Sequence, residues 1–241
     1  MTRKIITLLI IVLMAACQTQ TPQEEMQLKI ADLEKEINSN GTFQKAMITP
    51  LVTAYEEYMT KFPEDSISTS YQYRIAETYQ KADDLDKTIE TYEKILYDKG
   101  KDSNFDVKAA MGTVRAYESF AKTRADDAKT PEYLFKAAEI ERSLKNYKKA
   151  IENYQTIQTK YPDYEKTPHS MFLLGFIYEN DLKDDAKAKA LYEQFLEKYP
   201  EHELADDVKF SLDNLGISPE EIIKRFEEKN KATDAKKKPA S

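Results

Sequence analysis

The sequence predicts an all-α fold, a solenoid of antiparallel helix hairpins with about ten to eleven helices, because repeated helical units bury a continuous core by stacking. Residues 133–165 and 171–203 are two copies of one unit, in which Phe135 corresponds to Phe172, 37 residues on. Only 5 of the 241 residues are glycine, Lys and Glu are frequent, and no segment alternates apolar and polar residues as a strand would. Repetition and composition therefore indicate the same class.

The two copies differ in length by one residue. Tyr154 corresponds to Tyr192 at a distance of 38 residues, one more than the distance from Phe135 to Phe172. We expect the extra residue to lie between the two helices of the unit, where an insertion costs little.

A second, longer duplication precedes this one. Residues 52–95 align without a gap onto residues 114–157, at an offset of 62 residues. This offset is neither one unit nor two, so we interpret it as a three-helix block that was copied once. The segment 98–104, which contains Gly100 and Asn104, is predicted to be the break between the blocks.

Helical periodicity, caps and breakers predict the individual elements. Met26, Ile30, Leu33 and Ile37 recur at helical spacing in the first of them. In the second, Pro50 predicts a kink or a restart with Thr49 as the N-cap. The predicted helices span residues 24–38, 43–62, 70–81, 85–97, 105–122, 132–144, 147–160, 168–179, 184–198 and 203–215, and a terminal helix follows the start signal Ser218-Pro219-Glu220-Glu221.

The residues shared by the two copies resemble one family of solenoids. Small residues stand where two helices must approach closely, and an aromatic residue and a helix-ending proline follow: Ala138, Ala150, Tyr154 and Pro162 in the first copy, Gly175, Ala188, Tyr192 and Pro200 in the second. This pattern resembles the tetratricopeptide repeat, although the chain has no Trp at the consensus position. The long second helix ending in Lys-Tyr-Pro is similar to envelope lipoproteins of the BamD type and to the Tol-Pal-associated periplasmic coordinator. The resemblance implies a non-enzymatic scaffold that binds proteins. It does not specify the task of the scaffold, because such repeats serve many unrelated tasks.

The N-terminus is predicted to be a lipoprotein signal peptide, residues 1–17. Arg3 and Lys4 precede an apolar run of twelve residues, 5–16, which is shorter than the roughly 20 residues of a spanning helix. Cys17 is the only cysteine and follows Met14-Ala15-Ala16, which resembles a bacterial lipobox. The alternative is an ordinary secretory signal with an unmodified cysteine. Acylation of Cys17 would anchor the chain to a membrane.

The remaining regions follow from this interpretation. Residues 18–23 are predicted to be a tether, residues 24–229 the solenoid with its C-terminal capping helices, and residues 230–241 a disordered lysine-rich tail. Gln18 stands where inner-membrane lipoproteins tend to have Asp, so the resemblance implies the outer membrane, facing the periplasm.

Charge narrows the class of partner. The net charge is −7 for the whole chain, and residues 229–241 contribute +4 of it. An acidic body without a basic stripe argues against nucleic acid and against a flat association with anionic lipids.

The sequence contains no catalytic or cofactor motif that we recognise. His169 and His202 are 33 residues apart, which is not a metal-ligand spacing, and both are expected on the surface. The acidic pairs at 83–84, 126–127, 184–185 and 206–207 are expected to cap helices, because carboxylates accept the free N–H groups of a helix start. We therefore predict no enzyme activity, no cofactor and no metal.

The resemblance also supplies a candidate binding groove. The first helix of each tetratricopeptide hairpin lines the concave side, which predicts groove residues Tyr73, Glu77, Gln80, Phe135, Glu139, Arg142, Phe172, Phe176 and Glu179. The aromatic members alternatively pack in the core. The expected partners are envelope proteins or extended peptides. A small-ligand or glycan-binding module of the periplasm stays open as the alternative, with the aromatic residues forming a pocket, and the oligomeric state is not predicted.

Overall fold

The structure, a computed structural model, describes residues 20–97, 105–218 and 220–228, and within these ranges all regular secondary structure is helical. The helices are α1 (Pro22–Ile37), α2 (Ile48–Lys61), α3 (Ser66–Lys81), α4 (Leu85–Tyr97), α5 (Val107–Thr123), α6 (Thr130–Ser143), α7 (Tyr147–Lys160), α8 (Thr167–Phe176), α9 (Asp185–Lys198) and α10 (Ala205–Asp213). Residues 220–228 form an eleventh helix, α11. The predicted all-α class and helix number are confirmed. The predicted signal peptide, Cys17, the loop 98–104 and the lysine-rich tail lie outside the described residues.

Four helices begin earlier than predicted, and in α1 and α3 polar side chains that cap the helix are the reason. Helix α1 begins at Pro22 because Thr21 and Glu24 form a capping box, in which the Thr21 N–H donates to the Glu24 carboxylate at 2.8 Å. The last two residues of the predicted tether are therefore helical. Helix α3 begins at Ser66 because Asp65 accepts the N–H of Ile67 at 3.0 Å. Helices α4 and α7 have the predicted bounds.

The stretch around Pro50 differs from the prediction. Helix α2 starts at Ile48, after a 3-10 turn at Lys45–Met47, so the expected helix from Phe43 is wrong. Pro50 lies in the first helical turn, where N–H groups have no partner within the helix and a missing N–H costs nothing. A kink is therefore unnecessary, and Thr49 lies inside the helix instead of capping it.

Acidic residues cap helices at two of the four predicted pairs. Asp184 accepts the N–H of Lys187 at 3.1 Å, and Asp84 accepts that of Lys87 at 3.2 Å. Asp127 instead accepts the N–H of Lys129 at 2.9 Å in the turn before α6, and α10 has Asp206 and Asp207 in its first turn without a side-chain cap. Ser218 likewise accepts the N–H of Glu221 at 3.2 Å at the start of α11, as its sequence signal predicts.

The chain divides into two compact units, residues 1–82 and 83–241. In the first, α2 packs against α1 and α3 around Ile30, Ile37, Leu51 and Tyr58, as the periodicity of α1 predicts. Polar contacts join the same three helices. Glu34 of α1 accepts the Tyr55 hydroxyl of α2 at 2.6 Å and also pairs with Arg74 of α3.

In the second unit, each helix from α4 to α10 packs against the next, which is the arrangement of a solenoid. The small residues lie at close approaches, as predicted. A Cβ atom added to Gly175 would lie 2.5 Å from a ring carbon of Tyr192, a side chain that is fully buried. Gly112 of α5 meets Tyr92 of α4 in the same way.

One hydrogen bond recurs at the turns between hairpins. A buried hydroxyl in the first turn of a helix donates to the carbonyl that closes the preceding helix, six residues earlier. The three pairs are Ser68 with Phe62 at 2.7 Å, Thr130 with Arg124 at 2.6 Å and Thr167 with Tyr161 at 2.8 Å. The bond satisfies a carbonyl at the end of a helix, which otherwise has no partner there.

The extra residue of the second copy lies in a helix and not in the loop between helices, contrary to our expectation. Helix α8 ends at Phe176 and continues as a π-helical turn, Ile177–Asp181. In the first copy the N–H of Asn146 donates to Glu141, five residues back; in the second the N–H of Asp184 donates to Tyr178, six residues back. The π turn thus contains the additional residue.

Candidate functional site

A row of charged side chains follows one face of α6. Lys136, Glu139 and Arg142 are spaced three residues apart, which places them along one side of a helix. The Lys136 ammonium lies 3.2 Å from the Glu93 carboxylate of α4 and 3.1 Å from that of Glu132. The Arg142 guanidinium lies 2.8 Å from the Asp181 carboxylate of the π turn. Both cations of the row are therefore paired within the chain.

Glu139, between them, differs from its neighbours. Its side chain is exposed and forms no hydrogen bond or ion pair within the described parts of the chain. Desolvation by surrounding protein atoms nevertheless raises the pKa of its carboxyl group, against the opposing fields of Lys166 and Lys136. A side chain that is both accessible and partly desolvated is expected in a concave surface. Glu139 is consequently an acceptor that a partner could reach.

Aromatic rings flank this row. Phe172 and Phe176 of α8 are half-buried, with ring centroids 6.4 Å apart, and the Arg142 guanidinium lies 4.6 Å from the Phe176 ring centroid. Tyr97, at the end of α4, is 61% exposed and lies close enough to Lys136 and Glu139 for their charges to affect the pKa of its phenol. We call the set Tyr97, Lys136, Glu139, Arg142, Phe172 and Phe176 the α6–α8 surface.

Not every predicted groove residue is accessible. Tyr73 and Phe135 are only 7% and 6% exposed, and Phe135 packs edge-on against Tyr154 at 5.6 Å between centroids. Glu179 is half-buried in the π turn and accepts the Tyr192 hydroxyl at 2.6 Å, so it supports the hairpin. Burial and this bond raise the pKa of Tyr192 above its usual value.

Glu77 and Gln80 lie exposed on α3, in the first unit. Of the predicted residues, the structure brings Glu139, Arg142, Phe172 and Phe176 together in the second unit.

Sequence reasoning missed two members of the α6–α8 surface. Lys136 and Tyr97 were not selected because only four positions of each first helix were carried over from the family. A usable signal was present: Lys136 and Glu132 are four residues apart, a spacing at which opposite charges pair on a helix.

The structure also brings the two histidines together. The ring centroids of His169 and His202 are 5.4 Å apart, and both side chains are half-buried. The expectation that both lie on the surface is therefore only partly correct. The spacing of the two histidines along the chain does not indicate that they are neighbours, because the packing of successive repeats places residues that are distant in sequence next to each other.

The first unit contains two cavities. One, of about 210 Å³, is lined by Glu34, Tyr55 and Arg74 among others. The other is open, encloses about 900 Å³ and lies between α1 and α2, where charged and polar side chains surround Met26. The larger cavity has no aromatic lining, whereas Phe43 and Tyr55 line the smaller one beside charged side chains.

The sequence profile of the tetratricopeptide repeat matches residues 70–98, 132–164 and 169–202. Three segments of the chain are therefore similar to tetratricopeptide repeats. The second and third of them are the hairpins α6–α7 and α8–α9. Repeats of this kind bind protein partners or peptides in general.

Two solved structures are similar to this chain. A crystal structure of MamA protein is 16% identical, with a TM-score of 0.34, over 81% of this chain and 99% of MamA. A candidate kinesin light chain of Podosopora anserina, with nearly identical TPR-like repeats, is 15% identical, with a TM-score of 0.36, over 92% of this chain and 100% of that one. The search of curated proteins found no match. Among the described helices, none has the length and apolarity needed to cross a membrane.

Proposed function

We propose that this protein is a non-enzymatic scaffold that binds a protein partner through the α6–α8 surface while a lipid on Cys17 holds it in the bacterial cell envelope. The observation that carries the docking proposal is Glu139, an accessible and partly desolvated carboxylate without an ion pair in the described chain. Partly desolvated polar groups that lack a partner are costly, and a bound partner removes that cost by supplying a donor.

The surface fits an extended peptide or a helix of defined chemistry. A lysine, an arginine or backbone N–H groups of the partner would donate to Glu139. Its apolar side chains would pack on the half-buried rings of Phe172 and Phe176. Aromatic residues beside charged ones are the usual anchors of protein interfaces. Because Lys136 and Arg142 are already paired, they favour a partner that does not depend on an acidic side chain.

This docking mode predicts a pH dependence with a defined sign. Desolvation raises the pKa of Glu139 in the free protein, and a cationic partner would lower it again. Binding is then strongest where the free carboxyl group is already ionised. Affinity decreases as the pH falls through the raised pKa of free Glu139.

The envelope role is supported by sequence alone. The basic start, the apolar run and the single cysteine at its end indicate acylation at Cys17, and Gln18 favours the outer membrane, facing the periplasm. The proposed task is docking of envelope proteins, possible contexts being outer-membrane assembly and envelope coordination. The small-ligand alternative has weaker support, because the larger cavity of the first unit has no aromatic lining and the smaller one, of about 210 Å³, has Phe43 and Tyr55 among charged side chains.

Site-specific photocrosslinking in the organism that makes the protein tests the docking surface. A photoreactive phenylalanine replaces Tyr97, which is exposed on the surface, and a control probe replaces Gln155, which is exposed on α7. We expect a discrete protein adduct from position 97 and none from position 155. Glu139→Gln should weaken that adduct, whereas Glu152→Gln, the same change on α7, should leave it intact. Equal adducts from both positions, or insensitivity to Glu139→Gln, would contradict the assignment.

A further inference from the structure

The two histidines of the chain meet at one place in the second unit. His169 lies in the first turn of α8, and His202 lies in the turn between α9 and α10, next to Glu203. One donor atom from each of the three side chains lies within 4.8 Å of the other two. The chain has no other histidine, so both of its imidazoles lie here.

The distances suit a small divalent ion. The Nε2 atom of His169 is 3.5 Å from the Oε1 atom of Glu203. Zinc binds imidazole nitrogen at about 2.0–2.1 Å and carboxylate oxygen at about 2.0–2.2 Å, so two such ligands at a tetrahedral angle are about 3.4 Å apart. This pair therefore already has the separation that a shared ion would impose. The other two pairs lie within 4.8 Å, so they close by rotation of the exposed Glu203 side chain and by small rotations of the two imidazoles.

The surroundings orient the rings. His202 packs edge-on against Phe195 at 5.8 Å and lies 6.3 Å from Tyr199, between centroids. The Nδ1 atom of His202 accepts the N–H of Leu204 at 3.2 Å, which leaves Nε2 to face a ligand. Coordination through Nε2 puts the proton on Nδ1, so that this long hydrogen bond is given up. The loss of one long hydrogen bond costs much less than metal coordination contributes.

His169 is suited to the same role. Its Nδ1 atom is buried and has no hydrogen-bond partner within the described residues, so Nε2 is the nitrogen that faces Glu203. Burial, followed by the field of His202, lowers the pKa of His169 and keeps its imidazole neutral, the form that binds metal. The other charges near it are Lys166, which opposes a cation, and Glu165 and Glu203, which favour one.

The histidine site is present in the second of the two repeat copies and absent from the first. In the preceding copy, the equivalents of His169, His202 and Glu203 are Glu132, Tyr164 and Glu165. The fold therefore accepts other residues at both histidine positions, and packing alone does not require imidazole there.

We propose that His169, His202 and Glu203 bind a divalent transition-metal ion, of which Zn²⁺ is the representative, with the fourth position open to water or to a side chain of a partner. Two imidazoles and one carboxylate are a typical ligand set for zinc. The ion would join the start of α8 to the turn after α9 and stabilise the last repeat. This proposal does not depend on the docking function of the α6–α8 surface.

The test is Zn²⁺ binding to the full chain, purified in detergent without a polyhistidine tag and titrated in competition with a chromophoric chelator. We expect one equivalent of Zn²⁺ per chain and a thermal transition that rises with Zn²⁺. Glu203→Gln should weaken binding at least tenfold, and Glu201→Gln, an exposed control of equal charge change in the same turn, should not. His202→Tyr, which restores the residue of the preceding unit, should abolish binding while the circular dichroism spectrum stays helical.

Either of two results would overturn the proposal. One is the absence of stoichiometric Zn²⁺ binding to the unmodified chain. The other is equal binding by the chain and by its Glu203→Gln and His202→Tyr variants, which would indicate only dispersed surface carboxylates. Because Glu203 is 77% exposed, its replacement does not endanger folding, and the comparison with Glu201→Gln stays decisive.

Discussion

Replacing Gly175 with alanine sets two effects of opposite sign against each other. Alanine in a helix is favoured over glycine by about 0.8–1.0 kcal/mol. The new Cβ, however, would lie 2.5, 2.9 and 3.2 Å from three carbons of the Tyr192 ring. That ring is fully buried and its hydroxyl donates to Glu179, so it cannot move aside like the end of a flexible chain.

The steric clash with the Tyr192 ring should outweigh the gain in helix propensity. Inserting a methyl group into a packed core costs about 1–3 kcal/mol, and more where ring atoms must shift, so we expect a net loss of about 1–2 kcal/mol after the gain in helix propensity. For a domain of this size, that corresponds to a decrease in the melting temperature of about 2–8 °C.

Thermal and urea unfolding followed by circular dichroism measure the change. A double variant with Tyr192→Leu tests the cause, because removing the ring should make the Gly175→Ala substitution much less harmful. An increase in melting temperature for Gly175→Ala alone would show that propensity prevails and that the reasoning about this contact is wrong.

Three further predictions address other features. Thr167→Val removes the hydroxyl that donates to the Tyr161 carbonyl and should cost about 1 kcal/mol of unfolding free energy, measured by urea denaturation; an unchanged midpoint would mean that the recurring bond contributes nothing. Burial and a hydrogen bond to Glu93 raise the pKa of Tyr117, so this phenol stays protonated in the fold, and stability should decline as the pH rises above about 10, the unfolded value. Ultraviolet titration measures the pH at which the tyrosines ionise. Ionisation of every tyrosine near pH 10 without unfolding would contradict the raised pKa of Tyr117. Finally, the full-length chain expressed in a diderm host should carry an acylated N-terminus in the outer-membrane fraction, detected by mass spectrometry, and Cys17→Ser should not; a soluble, unacylated chain in both cases would refute lipidation.

Much of the fold could be predicted because local signals agreed with the repeat. The bounds of α4 and α7 follow from apolar periodicity between clear turns. The early starts of α1 and α3 could have been read from Thr21 with Glu24 and from Asp65, which are ordinary capping residues. The length difference between the copies was also visible in the sequence. Its location inside α8 was not, because an insertion in a loop and one in a π turn leave the same trace in an alignment.

The candidate sites were less accessible to sequence reasoning. The resemblance supplied Glu139 and Arg142 but could not decide that Phe135 lies in the core, since an aromatic residue at helical spacing suits either place. The pair His169 and His202 depends on the packing of successive hairpins, and the 33 residues between them carry no local signal. Contacts between successive hairpins form such sites, and these contacts exist only in the folded chain.

The π turn has a consequence for how the copies diverged. One additional residue within a regular α-helix rotates everything after it by about 100°, which would turn buried side chains outward. Here Gly175 before the turn and Tyr192 after it still meet, because the widened turn contains the insertion. The first helical segment of the second copy is thus one residue longer, while its contact with the partner helix is retained. The length of a repeat can therefore differ between copies although the loop between the helices has the same length in both.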